Sequence, residues 1–360
     1  MPELKISYTA AGLLMGAYYV SYAALQIPSG YLSEHIKPHK LIAISTLILS
    51  ISAFSFSLIT DFTQGFICRI IIGIGAAFAF VSGMNLIPQW FNQKKLGTPL
   101  GIFQSAGGTG ATVALVIMPI LADLTNWRAS LIFVSIPTFA IAAVCWFTLK
   151  TKSNNKKYST IQKIEDKTVK GNRKFFTNSS LWLLGLAMLI TIGSLAGIST
   201  WIPPFSKEVL NAPPEVIALI SGLTIGGVAI GQATSGWISD LLKLRKTIFA
   251  AGQFATVICL LTLISLKLDL IQIYVTVLLM GCALGFLSMG FTITTELFPQ
   301  RRGLALGFVN ALGMGGGVMI PPIMGYILDS TRSYFWGFAI TSIFLIISAM
   351  LMMAVKEKRW

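Results

Sequence analysis

Apolar runs of roughly 20 residues or more, nearly free of charge, succeed one another along almost the whole chain. At about 1.5 Å of rise per residue, each is long enough to cross the hydrocarbon of a bilayer. Eleven such runs lie near 8–32, 41–60, 65–90, 98–122, 129–149, 180–204, 215–238, 247–266, 270–295, 303–328 and 334–355. Lipid offers no hydrogen-bond partner to a backbone amide, so runs of this length read as helices, and the fold class is all-α and polytopic. Composition agrees: 11% of the 360 residues are charged and 54% are hydrophobic, where an ordinary soluble domain carries roughly 25% charge. Too little polar side chain remains to wet a globular surface, which excludes a water-soluble enzyme.

The one long polar interval, Lys150 to Asn178, is rich in Lys, Asn, Ser and Thr and reads as a solvated linker. It separates an amino-terminal bundle at 1–149 from a carboxyl-terminal bundle at 179–360, with the basic linker at 150–178 between them. Basic residues sort by alternate gaps. One set holds Lys37, Lys40, Lys94, Lys95, the basic residues of the linker, Lys243, Arg245, Lys246, Arg301, Arg302, Lys356, Lys358 and Arg359. The other holds only Lys5, Arg128, Lys207, Lys267 and Arg332. Lys and Arg are retained on the cytoplasmic side, so the first set, the linker and the carboxyl terminus are placed in the cytoplasm of a bacterial-type inner membrane. The net charge of +14 is then a topology signal. A nucleic-acid partner is not expected, because the basic residues occupy short gaps and not one accessible face. Cys68, Cys145, Cys259 and Cys282 all lie inside apolar runs without short spacings, so neither a disulfide framework nor a zinc site is indicated, and no cofactor or metal is expected. Eleven helices with a cytoplasmic carboxyl terminus put Met1 outside with nothing before it to translocate it, so the expectation is a further helix upstream.

Laid over itself so that Pro28 meets Thr234, the chain aligns PSGYLSEHIKPHK with TSGWISDLLKLRK. In that one register Gln26 meets Gln232, Gly97 meets Gly303, Gly101 meets Gly307, Gly107 meets Gly313, Gly110 meets Gly316 and Asp123 meets Asp329. A register held over four helices is an internal repeat. Two related halves joined by a long loop suit a transporter in which one half rocks against the other around a midplane site.

At these residues the chain resembles the major facilitator superfamily. Gly30, Leu32, Ser33, Glu34 and Lys40 match the family's pattern between its helices 2 and 3, while His35, Lys37 and Pro38 depart from it. Arg69, Gly73 and Gly75 match its Arg-x-x-x-Gly-x-Gly run in helix 4, and WFNQKKLGTPLGIFQSAGGTG with the later NWR resembles its helix 4 to 6 region. PELKIS resembles the loop after the family's helix 1, so the resemblance numbers the runs as helices 2 to 12 and implies that helix 1 is absent from this chain.

Candidate site residues follow from the scarcity of polar groups in lipid. Arg69 is the one charge deep in a run, where an ionisable residue is expected to face the bundle interior; the resemblance implies a conformational or coupling role, with substrate contact and helix anchoring as the alternatives. Glu34 and Asp240 end the first and seventh runs, where a carboxylate accepts amide hydrogens from a neighbouring helix N-terminus; the resemblance makes them gate latches, with Gly30, Lys40, Gly236 and Arg245 in the same motif copies. A buried amide is costly unless paired, so Gln104 and Asn310 either pair across helices or face a ligand, as do Gln26 and Gln232. By family position the cavity is lined by helices 1, 4, 7 and 10, which nominates Asn85, Ser199, Thr200, Trp201, Thr292 and Thr295, with Tyr18, Tyr19 and Tyr22 nearby. Trp201, just before Pro203 and Pro204, is the leading candidate to close over a ligand, with an interfacial belt residue as the alternative. The Gly-rich runs at Gly101–Gly110 and Gly313–Gly317 allow close helix approach and are not phosphate loops, lacking the preceding strand.

The function these features imply is secondary active or facilitative transport of a small polar solute by alternating access, by a monomer in lipid with a proton as the candidate coupling ion. The absence of a second deep cation favours a neutral or zwitterionic solute. The alternative is a non-transporting sensor or degenerate transporter, should helix 1 be lacking. An enzyme is not expected, since no nucleophile and base pair or cofactor motif is present.

Overall fold

The computed structural model describes residues 8–92, 95–149 and 175–356, apart from the side chains of residues 8–12, 15, 115, 116 and 119. Among the described residues there are helices and no strand. Most of the linker, Lys94 and the last basic residues lie outside them.

The expected first run is two helices, α1 (Tyr8–Ala24) and α2 (Gln26–His35), broken at Leu25. Pro28 has no N–H to give to the Ala24 carbonyl, which loosens the ladder at that turn. Pro38 then opens α3 (Pro38–Ser57) at its first position, where a missing N–H costs nothing. Asp61 caps α4 (Phe62–Leu86) by accepting from the Gln64 amide at 2.9 Å, and Ile87–Gln89 continues it as a 3₁₀ turn. The next helices are α5 (Gly97–Leu124) and α6 (Trp127–Thr148), the latter capped by Asn126. Arg128 reaches back to the Ser57 and Ile59 carbonyls at 2.8 and 2.7 Å, closing the end of α3.

After Asn178, which caps it, α7 (Ser179–Glu208) runs through Pro203 and Pro204. Then come α8 (Pro214–Leu242), ended by Lys243 at φ 57°, and α9 (Arg245–Ser265). The expected run at 270–295 is also two helices, α10 (Leu270–Gly285), opened by an Asp269–Gln272 capping box, and α11 (Ser288–Leu297). No proline explains this break. The backbone there shortens to three-residue steps, with Phe286 bonding Ala283 and Leu287 bonding Leu284, beside Gly285, where a Cβ would strike the Val228 carbonyl of α8. The last two are α12 (Arg302–Thr331), with Pro321 and Pro322 inside it, and α13 (Tyr334–Ala354).

Nine segments among the described residues are long and apolar enough to cross a membrane. The two other expected runs correspond to α1 with α2 and to the 28-residue α5. The chain is an all-α integral membrane protein.

It divides into two compact units. One contains Met1–Trp90, Ala114–Asn172 and Gln300–Ala311; the other contains Phe91–Val113, Arg173–Pro299 and Leu312–Trp360. In the first, α3 packs on α4 and α6, and α1 on α4; in the second, α8 packs on α10, and α9 and α7 on α13. The second unit's apolar core runs through Ile198, Ile202, Phe205, Leu260, Met280 and Phe338. Each unit takes in a short segment of the opposite sequence half: the start of α12 lies with α2 in the first unit, and the start of α5 lies with α8 in the second.

Candidate functional site

The repeat register governs contacts as well as sequence. In the first unit a Cβ on Gly30 would strike the Gly303 carbonyl, and one on Gly307 would strike the Gln26 carbonyl. In the second unit, Gly236 meets the Gly97 carbonyl and Gly101 meets the Gln232 carbonyl. These are the same two contacts under the register that lays Pro28 on Thr234. Only a residue without a side chain lets two helix backbones approach so closely.

A carboxylate stands at each crossing over the first turn of the partner helix, whose amides have no acceptor within their own helix. Asp240 accepts from the Gly97 and Thr98 amides at 3.0 and 2.7 Å and from the Thr98 hydroxyl at 2.6 Å. Glu34 accepts from the Leu304 amide at 2.9 Å, and Leu304 is the repeat partner of Thr98. Glu34 lies beyond the apolar run at 8–32. Burial raises its carboxyl above the ordinary range, against the lowering effect of the Leu304 amide and of nearby Arg301 and His35.

The crossings differ in their cations. Arg245 is buried at 6% exposure, pairs with Asp240 at 2.7 Å and Glu296 at 3.1 Å, and also bonds the Ser239 hydroxyl. Its repeat partner is His39, so this ion triad belongs to the second unit alone. Lys40 is exposed and no contact ties it to Glu34. Its own repeat partner, Lys246, instead donates to the Met353 and Val355 carbonyls at 3.3 and 2.8 Å, closing the end of α13. Glu296, Thr98, Gly97 and Gly303 complete these clusters without having been singled out as site residues, although the two glycines were already paired in the repeat.

The remaining candidates are placed as follows. Arg69 sits two turns into α4, half-buried, its guanidinium 4.8 Å from the centroid of the Phe56 ring and its Nε buried without a hydrogen bond. One turn on, Gly73 rests against Ser21 and the Tyr18 carbonyl of α1, which brings Arg69 to the tyrosine face where Tyr18 stacks on Tyr22 at 5.7 Å. Asn310 donates to the Tyr22 hydroxyl at 3.3 Å. Asn85 is bound to Ser33, donating to its carbonyl at 2.9 Å. Gln104 donates to the Leu100 and Ser288 carbonyls at 3.2 and 3.5 Å. Thr200 and Thr292 bond back to their own helices, at Ala196 and Ser288. The Trp201 indole donates to the Pro321 carbonyl at 2.9 Å and borders a small apolar cleft with Met324, Leu328, Tyr334, Gly337 and Phe338. The structure thus joins Tyr22 with Asn310, and Asp240 with Arg245, while Thr200, Trp201 and Lys40 stand apart from those groups. Among the described residues no His, Cys, Asp and Glu group could hold a metal ion.

The family model for the Major Facilitator Superfamily matches residues 1–266 and again 204–359. The chain belongs to that superfamily. Its relatives include the probable L-galactonate transporter of Escherichia coli K12, 24% identical over 92% of this chain and 78% of that one. A nitrite extrusion protein of Bacillus subtilis is 25% identical over 93% of this chain and 82% of its own. A crystal structure of the E. coli fucose:proton symporter FucP matches with a TM-score of 0.76 at 15% identity, covering 99% of this chain and 93% of that one, which shows the fold. This superfamily member is a solute transporter. It is not an enzyme, and the sensor alternative finds no support among these relatives.

Proposed function

We propose that this transporter carries a small anion, an organic carboxylate or sulfonate or an inorganic oxyanion, and that Arg69 is its charge partner. The observation that carries this reading is the Arg69 guanidinium, two turns inside an apolar helix, with a buried Nε that makes no hydrogen bond. A cation in that setting is costly unless an opposite charge or a carbonyl meets it. At an effective dielectric constant near 20, a single charge at about 4 Å contributes roughly 4 kcal/mol. The relatives' names point the same way: L-galactonate, sulfoacetate, nitrite and hexuronate are anions. This reading departs from the neutral or zwitterionic solute that the count of deep cations favours.

In this reading the sequence halves 1–149 and 179–360 are the rocking bundles, joined by a cytoplasmic linker, and the carboxyl terminus faces the cytoplasm across an inner membrane. Asp240 and Glu34 latch the cytoplasmic ends of the crossings, with Gly30 and Gly236 setting their closeness and Arg245 pairing with Asp240. The tyrosine face, Asn310 and Gln104 lie along the solute path, a proton is the coupling ion, and the working unit is a monomer.

The test is uptake into proteoliposomes of nitrate, D-galacturonate, L-galactonate and sulfoacetate, with L-fucose as the neutral comparison. Anion uptake that falls about a hundredfold or more in Arg69→Gln and partly returns in Arg69→Lys supports the reading. Uptake of fucose alone, or anion uptake indifferent to Arg69→Gln, overturns it.

A further inference from the structure

Neither the latches nor Arg69 uses a polar set that lies one to two turns further along both crossings. The repeat register lays Gln26 on Gln232, Ser29 on Ser235, Ser82 on Ser288 and Gln104 on Asn310. In the second unit this set is nearly closed upon itself. The Ser235 and Ser288 hydroxyls are 2.9 Å apart, Ser288 Oγ donates to the Gln232 carbonyl at 3.4 Å, and Gln104 donates to the Ser288 carbonyl. What remains open is two side-chain carbonyl oxygens, Gln104 Oε1 and Gln232 Oε1, both buried and both without a hydrogen bond. The two residues flank one crossing, since Gly101, one turn before Gln104, rests on the Gln232 carbonyl. Two acceptors cannot satisfy each other, and water is the smallest molecule that brings two donors.

The first unit carries the matching deficit. The Ser82 hydroxyl is buried without a partner, and the Gln26 amide, likewise 0% exposed, faces the Tyr22 hydroxyl without a hydrogen bond of ordinary length. Asn85, one turn beyond Ser82, is bonded to Ser33, one turn beyond Ser29, so the same register turns Ser82 toward Gln26 and Ser29. Of the eight buried, unpartnered side-chain atoms among the described residues, five belong to these two related sets. Buried polar groups in proteins are paired with few exceptions, and internal waters supply the partner where the protein does not.

We propose that each unit binds one internal water beside its crossing. In the second unit it donates its hydrogens to Gln104 Oε1 and Gln232 Oε1; in the first it joins the Gln26 amide to the Ser82 hydroxyl. In the second unit the water lets α5 close on α8 without stranding amides that bulk solvent satisfies when the helices part; in the first it lies between α2 and α4, the helix that carries Ser82.

Hydroxyl-radical footprinting of the full chain in nanodiscs, read by mass spectrometry after sub-millisecond X-ray doses, tests this because bound water is the radical source. Met289, next to Ser288, is 0% exposed, as are the reference residues Met280 and Met352; Tyr22 is 9% exposed and reports on the first unit. The expected result is oxidation of Met289 about tenfold faster than of Met280 and Met352, with Tyr22 also oxidised. Gln232→Leu suppresses Met289 oxidation and leaves Tyr22 unchanged, and Gln26→Leu does the reverse. Met289 oxidised no faster than Met280 overturns the proposal in the wild-type protein, whether or not the variants fold. Labelling that survives Gln232→Leu, or falls equally at both reporters in either variant, also overturns it.

Discussion

The contact at Asp240 permits a quantitative test of the latch. Its carboxylate receives three hydrogen bonds from the first turn of α5, at 3.0, 2.7 and 2.6 Å, and one from Arg245 at 2.7 Å. Hydrogen bonds to an ionised group contribute about 1.5–3 kcal/mol each, and a carboxylate at a helix N-terminus adds about 0.3–1 kcal/mol through the dipole. Asp240→Asn leaves one acceptor oxygen in place and removes the charge. Discounting for the neutral bonds that survive and for the Glu296 partner that Arg245 keeps, the closed crossing loses about 3 kcal/mol, or roughly a hundredfold in its equilibrium with the parted state. Gly101 is unsuitable as a reporter, because any side chain there strikes the Gln232 carbonyl. Ala229 serves better: it is 6% exposed and faces Gly108 across the same crossing. With the four native cysteines replaced and Ala229→Cys introduced, an impermeant maleimide is applied to inside-out vesicles. Asp240→Asn is expected to accelerate modification by up to about a hundredfold, saturating once the parted state dominates. A rate within about twofold of the parent refutes the latch, since an energy term of this size cannot be lost without moving the equilibrium.

The other crossing yields a pH test. Burial raises the Glu34 carboxyl in the latched state, whereas a parted crossing returns it to water and its ordinary value. The latched state therefore holds a proton more tightly, and the latch strengthens as pH falls through the raised value and weakens above it. Cysteine accessibility at Ala305, 0% exposed beside Leu304 on α12, is expected to drop on acidification in the parent and to lose that dependence in Glu34→Gln. Gly236→Val puts a side chain onto the Gly97 carbonyl; overpacking of about 1–3 kcal/mol is expected to hold the α5/α8 crossing apart, which faster maleimide labelling at Ala229→Cys would reveal. Trp201→Phe removes the indole bond to the Pro321 carbonyl, with an expected loss of about 1 kcal/mol measured as a lower unfolding midpoint in detergent; an unchanged midpoint argues that solvent already satisfies that carbonyl.

What was legible in the sequence is what repeats. A single register names both glycine contacts and both latch carboxylates, because the same backbone approach is built twice and each copy needs a residue without a side chain at the crossing and an acid one turn beyond it. The helix breaks were only half legible: Pro28 marks the break before α2, but the break between α10 and α11 has no proline to announce it. Partners far apart along the chain were the least legible. Asp240 reads as an acid that accepts from a neighbouring helix N-terminus, but nothing local says that Gly97 and Thr98 supply the donors or that Arg245 is shared with Glu296. Lys40 shows the converse limit. It matches the motif letter for letter, yet the residue that takes the arginine's place in its half is His39, and Lys40 itself points to solvent. A motif fixes the backbone path through the crossing; which side chains then meet depends on the helix that arrives from the other half of the chain, and the two crossings have settled that differently, one around a buried ion triad and one around a single raised carboxyl.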